Sequence, residues 1–161
     1  MDKIGLVLAI LGAAMAALLS GMGSAKGMGM VGEAAAGLIS EDPSKFGKVI
    51  ILQILPGTQG LYGFLTAILL LARIGVLGAN PKPLTLSEGL LYLAACMPIA
   101  LVGYFSAIAQ ARVAASGVGV VAKKPEQQSK AMILAAMVET YAVLALLVSL
   151  LSVIAISNIG A

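Results

Sequence analysis

The stretch AMILAAMVETYAVLALLVSLLSVIAI, residues 131–156, contains a single charged residue, Glu139. A membrane-spanning helix needs about 20 predominantly apolar residues, so this stretch predicts a transmembrane helix with a carboxylate near its middle. A charged side chain at the centre of a bilayer costs roughly 2.5–3.5 kcal/mol on insertion scales, and such residues usually mark a path for ions or protons. Glu139 is therefore the first candidate functional residue.

The composition indicates a membrane protein along the whole chain. Of the 161 residues, 60% are hydrophobic and 11% are charged, and the mean hydropathy is +1.05. The formal net charge of +3 is small and dispersed, which argues against a nucleic-acid partner. Because the chain has no His and only Cys96, a zinc or haem site would lack ligands.

Three further uncharged runs are long enough to cross a bilayer, namely residues 4–25, 49–72 and 89–111. Residues 1–20 also have the pattern of a signal peptide, but we interpret them as part of the first transmembrane helix. Lipid cannot satisfy free backbone groups, and no run shows the alternation of a β-barrel strand. The predicted fold class is therefore an all-α membrane protein with four transmembrane helices.

The sequence also repeats, which predicts two fused helical hairpins of the same orientation. We expect residues 1–78 to form the first hairpin and residues 79–161 the second. Three pairs of similar residues are 82 positions apart, and two further pairs are 86 positions apart. The difference of four residues is about one helical turn, so both offsets put the paired residues on the same helix face. The pairs 82 positions apart are Pro43 with Pro125, Lys48 with Lys130, and Thr58 with Thr140; those 86 apart are Ser20 with Ser106 and Lys26 with Arg112.

The repeat assigns a counterpart to Glu139. That counterpart is Gly57, so each chain is expected to hold one intramembrane carboxylate rather than two. Basic residues concentrate around the two predicted hairpin loops, and the positive-inside rule therefore puts these loops in the cytoplasm and both termini outside. These residues are Lys45, Lys48, Lys123, Lys124 and Lys130.

Four residues of the second span, three of them with polar side chains, lie at the level of Glu139 according to the repeat. Their spacing of i, i+3, i+4 and i+7 puts them on one helix face, and the third span contributes a further amide. Pro56 cannot donate a backbone hydrogen bond, so it should free a carbonyl and distort the helix, while Gly57 permits a close approach. The residues on the shared face are Leu55, Thr58, Gln59 and Tyr62, and the added amide is Gln110.

These groups form an all-oxygen set with one negative charge: a carboxylate, two amides, a hydroxyl and a backbone carbonyl. Hard cations prefer oxygen ligands, and a monovalent cation would balance the charge, so Na⁺ is the best match. Three other hypotheses remain open. Glu139 could carry a proton, the polar groups could only join helices, or four helices could form a small ion-coupled carrier, although hairpins of the same orientation argue against a carrier.

Three stretches resemble the proteolipid (K or c) subunit of bacterial sodium-transporting V-type ATPases: LPGTQGLYG at 55–63, AQ at 109–110 and MVETYA at 137–142. The resemblance covers essentially the whole chain and implies a rotor ring of about ten identical subunits in a bacterial plasma membrane. It also implies that Tyr62 braces Glu139. The residues that it implies as Na⁺ ligands are Leu55, through its carbonyl, and Thr58, Gln59, Gln110 and Glu139.

The resemblance further implies that the chain performs no catalysis itself and needs no organic cofactor. ATP would be hydrolysed in a separate soluble part of a rotary pump. The expected partners are a stator membrane subunit that supplies half-channels, a central-stalk subunit and membrane lipid. The alternative within the same class is a rotor subunit that carries H⁺.

Overall fold

The computed structural model describes residues 3–159, with side chains up to Ile156. The described residues form five α-helices and three short 3₁₀ turns and contain no β-strand. The helices are α1 (Ile4–Glu41), α2 (Phe46–Ile54), α3 (Thr58–Arg73), α4 (Leu86–Lys123) and α5 (Gln128–Ile159). The 3₁₀ turns are Pro43–Lys45, Leu55–Gly57 and Pro125–Gln127.

Four stretches are long and apolar enough to span a membrane, as predicted. They are Ile4–Glu41, Pro43–Arg73, Leu86–Lys123 and Pro125–Ile156. Large apolar side chains remain exposed on α3 and α5; Leu61 is 65% exposed and Leu151 is 64% exposed. Apolar surfaces of this extent suit lipid or neighbouring chains rather than water. The prediction of an all-α membrane protein is confirmed.

Two of the helices are much longer than the uncharged runs that predicted them. Helices α1 and α4 each have 38 residues and continue to Glu41 and Lys123. At about 1.5 Å per residue, 38 residues extend well beyond a hydrocarbon core of about 30 Å. Charged residues do not stop a helix, so α1 and α4 continue until the Asp42-Pro43 and Lys124-Pro125 steps, where proline follows.

The two hairpins have the same orientation, because both hairpin loops lie at one end of the molecule. The Lys45 ammonium donates a hydrogen bond to the Ala122 carbonyl, and the Lys48 ammonium to the Pro125 carbonyl, each at 3.0 Å. The connection between α3 and α4 lies at the opposite end. The division between residues 78 and 79, which falls within this connection, stays a prediction.

Helices α1 and α4 pack closely side by side, while α3 packs on α1 and α5 on α4. A Cβ atom at Gly12 would lie 2.9 Å from the Cα atom of Leu93, and one at Gly23 would lie 2.6 Å from the Cα atom of Tyr104. These distances leave no room for a side chain, so the glycines allow the two backbones to approach.

Two apolar clusters fill the interior, and a polar layer lies between them. One cluster includes Leu70 and Ile99, and the other, nearer the hairpin loops, includes Leu52 and Val121. The buried polar residues of the intervening layer are Ser20, Ser24, Gln59, Ser106 and Gln110. Polar side chains in such a position need hydrogen-bond partners, and no buried side-chain nitrogen or oxygen of the described residues lacks one.

Candidate functional site

A 3₁₀ turn interrupts the second membrane-spanning stretch between α2 and α3. Helix α2 ends at Ile54 and α3 begins at Thr58, with a 3₁₀ turn between them. Pro56 has no N–H group, so it cannot donate the helical hydrogen bond to the carbonyl of Leu52. The carbonyl of Leu55 accepts hydrogen bonds from the backbone of Thr58 and, at 3.1 Å, from its hydroxyl. The distortion predicted from Pro56 is therefore present.

Two buried amides connect this break to the third span. Gln59 and Gln110 are both fully buried, and the Gln59 Nε2 atom donates a hydrogen bond to Gln110 Oε1 at 2.6 Å. The Thr58 hydroxyl lies 3.3 Å from Gln59 Oε1 and can donate to it. The bond between the two amides joins residues that are 51 positions apart in the sequence.

The Glu139 carboxylate completes the network from α5. Gln110 Nε2 donates a hydrogen bond to Glu139 Oε2 at 3.2 Å, and the Tyr62 hydroxyl donates one to Glu139 Oε1. A shallow groove of about 400 Å³ on the surface of α5 reaches the carboxylate and is otherwise lined by Ala136, Thr140, Val143 and Leu144. The structure thus brings together all the side chains that the sequence predicted for the site, next to the Leu55 carbonyl.

The carboxylate is not balanced by a basic side chain. No Lys or Arg within residues 3–156 forms an ion pair with Glu139. The ion pair of Asp42 with Lys45, at 3.3 Å, lies at the hairpin loop, where hydrogen bonds from Ser44 and then from Lys45 hold the pKa of Asp42 below its ordinary value. In a bilayer, a cation or a proton bound at Glu139 would balance this charge.

The oxygen atoms around Glu139 are suitable ligands for a hard cation. In the observed arrangement the Gln110 amide oxygen accepts a hydrogen bond from Gln59, so a cation that binds this oxygen would replace that bond. The described residues contain no cluster of three His, Cys, Asp or Glu side chains that could hold a metal ion. The ligands available around Glu139 are all oxygen atoms, which favours alkali cations over softer transition metals.

Comparison with known families decides the class of the protein. The model of the ATP synthase C-subunit family matches the chain twice, at residues 11–70 and 93–152. The chain belongs to this family. The two matches are 82 positions apart and fall on the two hairpins, in agreement with the predicted duplication.

Two relatives of known name are similar along nearly the whole chain. The V-type sodium ATPase subunit K of Enterococcus hirae is 51% identical over 150 residues, which is 93% of this chain and 92% of the relative. The A-type ATP synthase subunit K of Methanocaldococcus jannaschii is 39% identical over 158 residues, which is 97% of this chain and 67% of the relative.

In the structure a single offset of 82 residues relates the two hairpins, so the offset of 86 residues inferred for two pairs from the sequence is wrong. Helices α1 and α4 begin 82 positions apart and also end 82 positions apart. The counterpart of Ser106 is therefore Ser24, not Ser20, which lies one turn away. Residues of the same type one helical turn apart lie near the same helix face, so their identity alone did not determine the register.

Ser24 and Ser106 support the site but were not predicted to do so. Ser24 Oγ accepts a hydrogen bond from the backbone N–H of Gly60 at 2.8 Å, just after the break. Ser106 Oγ donates a hydrogen bond to the Val138 carbonyl at 3.3 Å, next to Glu139. Their 82-residue separation is the signal that could have identified both.

Proposed function

We propose that this chain is the ion-carrying rotor subunit of a rotary ATPase and that its cargo is Na⁺. The observation that carries the proposal is the buried link from Gln59 through Gln110 to Glu139, with contacts of 2.6 and 3.2 Å. A proton would require the carboxyl group and one acceptor, whereas two fully buried amides add oxygen ligands suited to a cation. The similarity to a V-type sodium ATPase subunit K supports the same cargo.

Na⁺ binding would use the oxygen atoms that the break and the neighbouring helices bring together. The proposed ligands are the carbonyl of Leu55 and the side-chain oxygens of Thr58, Gln59, Gln110 and Glu139. Tyr62 would position the carboxylate through its hydroxyl, since it already donates a hydrogen bond to Glu139. We expect Pro56 and Gly57 to support the site through the 3₁₀ turn that they form with Leu55.

Charge neutralisation explains how the site can move through a membrane. A bare carboxylate in the bilayer centre costs roughly 2.5–3.5 kcal/mol on insertion scales, but the Na⁺-loaded site has no net charge and can face lipid. The groove beside Glu139 opens on the outer surface of α5, where an ion could be exchanged with a stator subunit. A cationic side chain of that subunit would help to displace Na⁺ from the carboxylate.

The assembly follows from the family. Copies of the chain form the membrane ring of an ATP-driven complex, and ATP is hydrolysed in other subunits. We propose about ten copies in the ring, a stator subunit with half-channels and a central-stalk subunit as partners. The proposed location is a bacterial plasma membrane, with the hairpin loops in the cytoplasm because lysines concentrate there.

Labelling of Glu139 tests the cargo. A hydrophobic carbodiimide reacts with a protonated carboxyl group, so bound Na⁺ should protect Glu139 in the assembled complex. Hydrogen bonds to charged groups contribute about 1.5–3 kcal/mol, so loss of one amide ligand should raise the Na⁺ concentration for half protection about 10- to 100-fold. We expect this result for Gln110→Ala and for Gln59→Ala.

Gln53→Ala is the matched control, because Gln53 is an amide of α2 outside the hydrogen-bond network of Glu139. Its half-protection concentration should equal that of the unmodified chain. Labelling that changes with pH but not with Na⁺ would overturn the sodium assignment and indicate a proton-carrying rotor. Equal effects of all three glutamine substitutions would overturn the ligand assignment.

A further inference from the structure

Two basic side chains lie at the end of the molecule opposite the hairpin loops. Lys3 directly precedes α1, and Lys82 lies in the connection between α3 and α4. Both side chains are exposed, and neither ammonium group forms a hydrogen bond or ion pair with another described residue. Because basic residues favour the cytoplasmic side of a membrane, two unpaired ammonium groups at the other end call for a specific partner.

The two lysines line one cavity with a volume of about 560 Å³. It lies between the start of α1 and the segment 81–85 that leads into α4. Ligand sites typically have volumes of roughly 300–1,000 Å³, so the cavity is large enough for a small molecule or a headgroup. The remainder of its wall is mostly apolar and includes Leu6, Pro81, Pro83 and Leu84.

The wall that carries Lys82 is fixed by the backbone of the α3–α4 connection. Gly75 has a φ of +78°, a left-handed conformation that lets the chain change direction after α3. The N–H of Lys82 donates a hydrogen bond to the Ile74 carbonyl at 3.0 Å, and the N–H of Asn80 donates one to the preceding turn at 3.1 Å. Prolines on both sides of Lys82 restrict the backbone further, so this wall is preformed.

The opposite wall is held in place by a close contact between backbones. A Cβ atom at Gly5 would collide with the carbonyl oxygens of Leu84 and Thr85, so the start of α1 lies directly against this segment. Leu6 and Leu84 are half-buried and pack on the apolar cluster that is farther from the hairpin loops. Each of the two walls contributes one lysine.

The charge of the cavity favours an anion. Its described lining residues supply two ammonium groups and no carboxylate. The carboxylate of Glu88, in the first turn of α4, is already used by the helix cap: its Oε2 atom accepts hydrogen bonds from the N–H and the hydroxyl of Thr85, each at 2.7 Å. An anion in the cavity would therefore balance charges that the described residues leave uncompensated.

The position of the cavity favours an amphiphilic anion. Lys3 is followed at once by the apolar run of the first span, so the cavity lies where the membrane surface meets the helix ends. A free phosphate ion would leave the apolar walls in contact with water, whereas a lipid would cover them. Phosphate oxygens are strong acceptors for ammonium groups, and lysines attract anionic lipids to a membrane surface.

We propose that this cavity binds the headgroup of an anionic phospholipid, with its phosphate between Lys3 and Lys82 and the start of an acyl chain on Leu6 and Leu84. The bound lipid joins the start of α1 to the α3–α4 connection. This binding does not depend on which ion the protein carries.

A photoreactive lipid tests the proposal. The assembled complex is reconstituted into phosphatidylcholine vesicles that contain a small share of phosphatidylglycerol with a diazirine near the start of one acyl chain. After illumination, mass spectrometry of peptides should find the label at Leu6 or Leu84. Each lysine near an anionic lipid contributes about fivefold to binding, so Lys3→Gln with Lys82→Gln should lower this labelling about 25-fold.

Lys130→Gln is the matched control. Lys130 is also exposed and unpaired within the described residues, but it lies at the hairpin-loop end and does not line the cavity. This variant should be labelled like the original chain. Lys82→Arg, which keeps the charge, should retain most of the labelling. If the double variant does not assemble, Lys82→Gln alone should show a decrease of about fivefold.

Competition distinguishes a lipid from a free anion. Unlabelled phosphatidylglycerol should reduce the labelling, whereas inorganic phosphate should not reduce it more than chloride does at the same ionic strength. Displacement by inorganic phosphate would overturn the lipid in favour of a free anion. Equal labelling by a photoreactive phosphatidylcholine, or unchanged labelling after removal of the lysines, would overturn a site specific for anionic lipid.

Discussion

The surroundings of Glu139 and of Gly57 occupy equivalent places in the two hairpins, and they differ in three side chains. Gln110 donates a hydrogen bond to Glu139, whereas the sulfur atom of Met28 lies against Gly57. The other two differences are Gln59, whose counterpart is Tyr141, and Tyr62, which donates a hydrogen bond to Glu139 and whose counterpart is Leu144. The backbone is nevertheless similar, since a threonine hydroxyl donates to a carbonyl three residues earlier in both hairpins.

The two places share their backbone arrangement and differ in the side chains that could bind an ion. The duplicated hairpin provides the helix pair and the threonine–carbonyl pair in both places. In the proposed function, ion binding would depend on the few side chains that differ, so the number of ions per chain could change without a change of fold. Mutations that remove or transfer these side chains test the comparison directly.

Glu139→Gln should have the largest effect, because it makes the native site as neutral as its counterpart. We expect complete loss of ATP-driven uptake of radioactive sodium into vesicles that contain the complex, since a neutral amide cannot balance Na⁺. Glu33→Gln, an exposed position of α1, should leave the uptake unchanged. Residual sodium uptake by the Glu139 variant would show that another group carries the ion.

The double substitution Met28→Gln and Gly57→Glu should create a second ion-binding carboxylate, at the place in the first hairpin that is equivalent to Glu139. The longer carboxylate needs the space that the thioether now fills, so both changes are required. Mass spectrometry after carbodiimide treatment should find two labels per chain instead of one. Sodium should protect the new carboxylate less well than Glu139, because Tyr141 stands where the native site has Gln59.

A single label per chain in correctly assembled rings of this double variant would contradict the assigned equivalence of the two places. Gly57→Glu alone is the informative control, because Met28 still occupies the space beside residue 57. It should either disturb assembly or leave the new carboxylate without sodium protection.

Tyr62→Phe should have a smaller effect, because it removes a bracing group rather than a ligand. Loss of a group that orients a metal ligand typically costs 10- to 100-fold in affinity, and we expect about tenfold for a single hydroxyl. The measurement is the Na⁺ concentration for half protection of Glu139. Tyr104→Phe, whose ring packs edge-on against Phe105, should leave that concentration unchanged.

Asp42→Asn should have the smallest effect and should leave sodium binding intact. Its counterpart is Lys124, so the first loop has a carboxylate where the second has an ammonium group. Hydrogen bonds from Ser44 and then from Lys45 lower the pKa of Asp42 below its ordinary value in the folded state. Its contribution to stability is therefore present above that ordinary value and is lost as the pH falls through the folded-state pKa.

Thermal unfolding of the detergent-solubilised chain checks this last prediction. The variant should unfold at a slightly lower temperature than the original chain near neutral pH, and the difference should disappear in acid. A difference that grows on acidification would contradict the assigned role of the carboxylate.

Several features followed from the sequence because the bilayer restricts the possible structures. Apolar runs of sufficient length must be helices, and a lone carboxylate within one of them needs a balancing charge. Proline and the helical spacing of Leu55, Thr58, Gln59 and Tyr62 predicted the break and its polar face. The fold class and the single carboxylate per chain therefore needed no coordinates.

The tertiary structure decided what distant residues do to one another. Gln59 and Gln110 meet where Gly27 lets α1 lie close to both Pro56 of the second span and Ala107 of the third. The register of the repeat, the support from Ser24 and Ser106, and the thioether of Met28 over Gly57 became visible only in the packed molecule. The physical reason is that helix periodicity identifies the face on which a residue lies, whereas packing between helices determines what that face contacts.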